Sequence, residues 1–394
     1  MYENVRDIYL FLYSLMLFCF FTLGIKASKS KNDLQYWRVV IWIIIAYSLV
    51  EGLRWGRMVD WNLYCERYQE IGKSNSSDIF EPVFVIICYV FYNIGIPYWM
   101  FIVFQCGFLI FSCCLIIKRY KNISLYIFPL IPYLLLFNEN FIRWFLALSF
   151  ILISIHYQQE NKRKYSILYF FISCFVHIGT IFFAPFLFYF RFFNRKLIDK
   201  RIAIILLGMS TMFASISQLH YLVYISDFLQ SIGLGQIDPR LSFYLESAGR
   251  ITEGEFGYVG ISDTRTSTQI RWFLEYAPLL YFAPRYISKY QSGYVFYNFT
   301  LIGAIFDPMF NLVEILGRIT IFFLLFTAIT AGITYYNVFK RENNGIVFYL
   351  CLISFVCAVW PCISIMFQRT DFYDMTFIWD SHGRDFLPVI KPNL

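Results

Sequence analysis

Apolar runs alternate with short polar connections along nearly the whole chain, and most runs lack the polar face of a soluble amphipathic helix. Candidate spans fall at about 8–25, 37–53, 83–117, 123–138, 141–157, 165–190, 202–222, 270–287, 293–306, 309–336 and 346–367. A span takes about 20 apolar residues, so 83–117 is long enough for more than one element. Backbone N–H and C=O groups cannot stay unpaired in lipid, so these runs are expected as helices rather than open strands. The pattern predicts an all-α, polytopic integral membrane protein with about 10–12 transmembrane or re-entrant helices. It reads as one integral domain over 1–394, without internal repeat, low-complexity tract or soluble appendage.

Composition agrees with that pattern: 59% of residues are hydrophobic and only 15% charged. The first residues carry Glu3 and Asp7 rather than a basic cluster, and no small-residue cleavage site follows Phe21. The first run is therefore expected as a retained anchor. The net charge of +7 does not signal nucleic acid, because the basic residues sit in short clusters between apolar runs. These clusters are Lys26/Lys29/Lys31/Arg38, Lys118/Arg119/Lys121, Lys162/Arg163/Lys164, Arg191/Arg195/Lys196/Lys200/Arg201, Arg285/Lys289 and Lys340/Arg341. The positive-inside rule puts them in the cytoplasm. Loops at about 54–80 and 223–268, the connection at 138–143 and the tail from about 368 then face outward. This orientation forces 165–190 to turn back on itself near His177–Thr180. Of ten cysteines only Cys65 lies in a clearly polar loop, so they are expected as small buried hydrophobes rather than disulfides.

Against this background the segment from Glu51 to Tyr68 is anomalous, packing Arg54, Trp55, Arg57, Asp60, Trp61, Tyr64 and Arg67 into one loop. Guanidiniums three residues apart can bind a pyrophosphate in bidentate fashion, and Asp60 can orient or deprotonate a hydroxyl. The same residues also suit an interfacial loop on lipid headgroups, and both readings stand. Arg143 opens an apolar helix, as a snorkelling side chain or as part of an electropositive pocket. His177 lies within an apolar run, as a packing residue or as a base at the outward turn. Trp55, Trp61 and Tyr64 suit sugar stacking and interfacial anchoring equally. Charged residues inside apolar runs (Glu51, Arg271, Glu275, Asp307, Glu314 and Arg318) cost too much to be retained without a partner or a task. Arg271/Glu275 and Glu314/Arg318 are spaced to share helical faces. The long loop at 223–268 is a solvated loop or a lid over the substrate. With no DxD pair, HExxH or P-loop, no metal site and no cofactor are expected.

Arg54-x-Gly56-x-x-x-Asp60-x-x-x-Tyr64 followed by Glu81-Pro-Val-Phe resembles the EpsG-like family of Wzy-type polysaccharide polymerases. Ile142-Arg143, the turn Lys162-Arg-Lys-Tyr165 leading to Phe175-Val-His177, and Arg318 within Gly317–Phe323 extend the likeness over nearly the whole chain. Met58 stands where the family commonly has a second glycine, and Trp144 where it has glutamine. The resemblance implies a metal-independent glycosyltransferase in the bacterial cytoplasmic membrane, acting on its outer face in O-antigen, capsule or exopolysaccharide synthesis. Its substrates would be undecaprenyl-diphosphate-linked oligosaccharides, with membrane lipids, a chain-length regulator and a flippase as further expected partners. Arg54, Arg57, Arg143 and Arg318 would then neutralise the diphosphate, Asp60 or His177 would take the acceptor proton, and Trp61 and Tyr64 would meet the sugars. A flippase or exporter, and an outward glycan ligase or acyltransferase, are the alternatives.

Overall fold

The computed structural model describes residues 2–57, 60–74, 80–213, 266–310, 314–341, 344–369 and 375–380, together with 224, 227 and 230–231. The chain runs through α1 (Tyr2–Ser28), α2 (Asp33–Gly52), α3 (Asp60–Ser74), α4 (Pro82–Asn93) and α5 (Tyr98–Ile117). Short turns lead to α6 (Ile142–Gln159) and α7 (Arg163–Val176). Then follow α8 (Lys200–Phe213), α9 (Thr266–Phe282), α10 (Gly293–Phe310), α11 (Glu314–Leu325), α12 (Thr327–Arg341) and α13 (Gly345–Gln368). Among the described residues there is no strand, and the isolated antiparallel bridge between Arg54 and Phe377 is the exception to helix and turn.

Among the described residues, five helical segments are long and apolar enough to cross a membrane: Glu3–Ser28, Asp33–Gly52, Tyr98–Leu134, Gly317–Lys340 and Gly345–Gln368. Other apolar runs of the sequence form shorter helices such as Pro82–Asn93 and Ile178–Phe188. The 83–117 run is two elements because the helix breaks at Gly95, whose φ of 81° suits glycine, just before Pro97 caps α5. All ten cysteines are free and eight are buried.

Antiparallel packing gives the bundle two chemically different ends. Along α2 and α5, Gly52 meets Val103, Ser48 lies beside Gly107, and the Tyr36 hydroxyl donates to the Cys114 carbonyl at 2.9 Å. One end gathers basic connections: Asp33 pairs with Lys118 at 2.9 Å and Lys121 at 3.5 Å, and Arg119 bonds Glu160 and Gln291. The opposite end gathers 51–57, 138–143, 177–180, Arg369 and 375–380.

The reversal expected within 165–190 is present. α7 runs antiparallel to α6, tied by Ser154 to the Ser166 carbonyl and by Ser173 to the Ala147 carbonyl, both at 2.8 Å. It breaks at His177, which is extended (φ −155°, ψ 113°). The chain returns through the 3-10 turn Ile178–Phe183, and Gln158 Nε2 donates to the Leu187 carbonyl at 3.3 Å near the basic end. Neither limb is a full-length span, and the broken geometry delivers His177 to the polar end. The 223–268 loop lies almost wholly outside the described residues, as do Met58, Asp371, Asp374 and the side chain of Glu314.

Candidate functional site

The polar end has two layers, and the inner one is a sealed charge knot. α2 stops at Gly52, Gly56 takes a left-handed φ of 64°, and a C-terminal strap at 376–378 covers the segment between. Trp55 N donates to the Thr376 carbonyl at 3.1 Å, and Ile378 N to the Leu53 carbonyl at 2.9 Å. Arg54 and Arg57 were expected in an outward loop, but both side chains are fully buried. Arg54 donates to the carbonyls of Glu51 (2.6 Å) and Asn138 (3.2 Å). Arg57 donates to the Thr376 carbonyl (2.8 Å), the Tyr13 hydroxyl (3.2 Å) and Glu139 Oε1 (3.1 Å). Its guanidinium lies 4.2 Å from the Phe377 ring centroid and 5.2 Å from that of Tyr9. Glu139 also accepts from Tyr13 at 2.9 Å and from both terminal nitrogens of Arg369.

Burial by itself would raise the Glu139 carboxyl, but Arg369 and Arg57 outweigh it and hold the group well below the usual carboxylate range. Three cations around two buried carboxylates, Glu139 and Glu51, explain why this segment resists being a solvent loop. Exposing any member would strand its partner in a dry interior. Trp61 belongs to the same interior. It is 1% exposed, between Trp55 (4.8 Å) and Tyr98 (5.2 Å), so no indole face remains for a sugar.

The outer layer is half-buried and brings together Asp60, Tyr64, Arg143, His177 and Arg318. Asp60 and Tyr64 are one turn apart on α3, so they share a face. Tyr64 stacks on Phe80 at 5.6 Å, and the Arg143 guanidinium lies 4.6 Å from that same ring. Burial raises the Tyr64 hydroxyl, while Arg143 and Arg318 draw it down and Asp60 raises it, which places all three charges around it. Arg318 lies 4.3 Å over the ring of Phe141, two residues before Arg143. Glu81 precedes Pro82 at the start of α4; its Oε2 pairs with Arg143 Nη1, and its Oε1 accepts from Ile178 N at 3.1 Å. His177 caps the 3-10 turn, its Nδ1 accepting from Gly179 N at 3.0 Å, and its ring packs on Trp144 at 5.1 Å. Arg143 Nε, buried with its residue 13% exposed, has no hydrogen-bond partner among the described residues.

Sequence reasoning put 138–143 and the tail at this end but did not single out Glu139, Arg369 or Glu81 as site residues. A signal was present, since Glu139 and Glu81 are carboxylates beside apolar runs and each requires a cation. Which arginine each takes is set by tertiary packing over 230 and 62 positions, respectively, for Arg369 and Arg143. No three His, Cys, Asp or Glu side chains among the described residues form a ligand set for a metal.

Fold and site define a polytopic helical membrane protein with a cationic, carboxylate-bearing cluster at one end of its bundle. The EpsG family matches residues 36–372, and the chain belongs to it. The match takes in the outer cluster entirely and the inner knot from Glu51 to Arg369. Membership gives the chain a polysaccharide-polymerase-like role of the glycosyltransferase type. No curated protein and no solved structure matches.

Proposed function

We propose that the protein polymerises oligosaccharide repeats carried on undecaprenyl diphosphate, at the outer face of the bacterial cytoplasmic membrane. The growing glycan is the donor, and a sugar hydroxyl of the next lipid-linked repeat is the acceptor. The observation that carries this reading is the half-buried gathering of Arg143, Arg318 and Asp60 around Tyr64, to which Glu81 joins the His177 turn. Arg143 Nε–H is buried and has no hydrogen-bond partner among the described residues, a donor suited to an anionic oxygen.

In the reaction the acceptor oxygen bonds to the donor's anomeric carbon while the bond from that carbon to the diphosphate oxygen breaks. Arg143 and Arg318 stabilise the charge that develops on the departing diphosphate, the task of preorganised donors in a site of low dielectric. Asp60 takes the acceptor proton. Asp60 rather than His177 is the base in this reading, because His177 Nδ1 already accepts from Gly179 N, which puts the proton of a neutral ring on Nε2. His177 donates from Nε2 and orients a sugar oxygen. Arg54 and Arg57 act one layer behind, holding α2, the 138–143 connection and the C-terminal strap together.

Purified protein with a defined lipid-linked repeat tests the proposal. A ladder of lengthening lipid-linked glycans is expected. Movement of the repeat across vesicles without extension would indicate a flippase, and transfer to a different acceptor a ligase or acyltransferase; either result sinks the polymerase reading.

A further inference from the structure

Glu81 is 9% exposed and sits where three elements start or break: the first residues of α4 and α6 and the turn after α7. One carboxylate spans two of the proposed reaction groups. Its Oε2 fixes Arg143 through Nη1, and its Oε1 fixes the backbone of Ile178, the residue that follows His177. Phe80 and Phe84, one residue before and three after it, both pack on Tyr64, at 5.6 and 6.1 Å. A helix N-terminus is a common place for a carboxylate, but Glu81 makes no side-chain cap to its own helix. Its oxygens are spent outward, on two other elements.

We infer that Glu81 is a positioning residue for glycosyl transfer, holding the anion-binding edge of Arg143 and the His177 turn in register; this rests on the polymerase reading above. By engaging Nη1, it fixes the plane of the guanidinium, whose buried Nε–H has no partner among the described residues. By bonding Ile178 N, it keeps the imidazole at the mouth of the turn rather than letting the two limbs of the broken element straighten.

Glu81→Gln separates the two tasks, since its amide oxygen still accepts from Ile178 N while the ion pair with Arg143 is lost. Steady-state polymerisation by purified, monodisperse protein is compared for wild type, Glu81→Gln, Glu81→Asp, Arg143→Gln and the double variant Glu81→Gln/Arg143→Gln. The expected result is a fall of about 10- to 100-fold in kcat/KM for Glu81→Gln, the scale of a misplaced catalytic geometry. Glu81→Asp recovers part of it, and the double variant is no worse than Arg143→Gln alone. If Glu81→Gln lowers only the yield or thermal stability, with kcat and KM of the folded fraction unchanged, Glu81 is a staple and the inference fails. Full polymerisation by Arg143→Gln would instead overturn the polymerase site itself, which keeps the two failures distinct.

Discussion

At the residue scale the two layers call for opposite substitutional behaviour. Arg143 is proposed to meet substrate through the edge that Glu81 leaves free, and lysine cannot reproduce that planar fork. Arg143→Lys should therefore keep expression and fold while lowering kcat by about 100-fold, the usual loss when one preorganised donor is removed. Product ladders from equal amounts of folded protein check this, and unchanged chain growth would exclude Arg143 from the chemistry. Glu139 should behave as a structural group. Glu139→Gln leaves Arg57 and Arg369 buried around a neutral amide, and breaking such a pair costs about 3–5 kcal/mol. Its pH dependence has a definite sign. The folded carboxyl lies below its unfolded value, so its stabilisation is complete above about pH 4.3 and is lost as pH falls through the folded value. The stability gap between wild type and Glu139→Gln, followed by thermal unfolding in detergent, should narrow as pH drops below about 4.3. A gap that widens on acidification would contradict the pairing.

At the element scale, what was legible from sequence followed the period and length of the apolar runs. The helical class and the room for more than one element in 83–117 came from hydropathy and length, and the reversal near His177–Thr180 came from the placement of the basic clusters. The short, kinked elements between Ser124 and Leu134 were not legible, because their apolar composition is the same as that of a straight span. Helix pairing was equally hidden, since it depends on small residues whose partners lie far along the chain. Gly52 is the sharpest instance: a Cβ there would lie 2.5 Å from Val103 Cα, too close for the backbones of α2 and α5 to remain as they are. Gly52→Ala should lower thermal stability by about 1–3 kcal/mol, the cost of overpacking, and should disturb the 53–57 segment that follows. Spacing did foretell the pair between Arg271 and Glu275, 2.9 Å apart on α9 with Glu275 1% exposed. Arg271→Leu would leave that carboxylate alone in the bundle, so its loss of stability should exceed that of Glu275→Gln.

At the scale of the whole molecule, charge segregation and site placement follow from the same topology. The basic turns meet at one end through Asp33, Lys118, Arg119 and Glu160, while the broken limb, the start of α6 and the start of α11 bring His177, Arg143 and Arg318 to the other. The candidate site was partly legible because arginines and a histidine are conspicuous among apolar runs. Its layering was not, because burial of Arg54, Arg57 and Trp61 depends on a strap more than 300 residues away in sequence, closed by Thr376 on Trp55 and Arg57. The positive-inside rule predicts an orientation for this polarity, with the basic end in the cytoplasm and the proposed reaction end outside. Single-cysteine labelling tests it directly, because the native thiols are buried in eight of ten cases. Glu70, on α3 with its side chain 58% exposed, and Lys196, 42% exposed in a basic turn, mark the two ends. In intact cells a membrane-impermeant maleimide should label Glu70→Cys, whereas Lys196→Cys should react only after permeabilisation. The reverse pattern would place Asp60, Arg143 and Arg318 inside the cell. Outward polymerisation would then be impossible, however well those side chains are arranged.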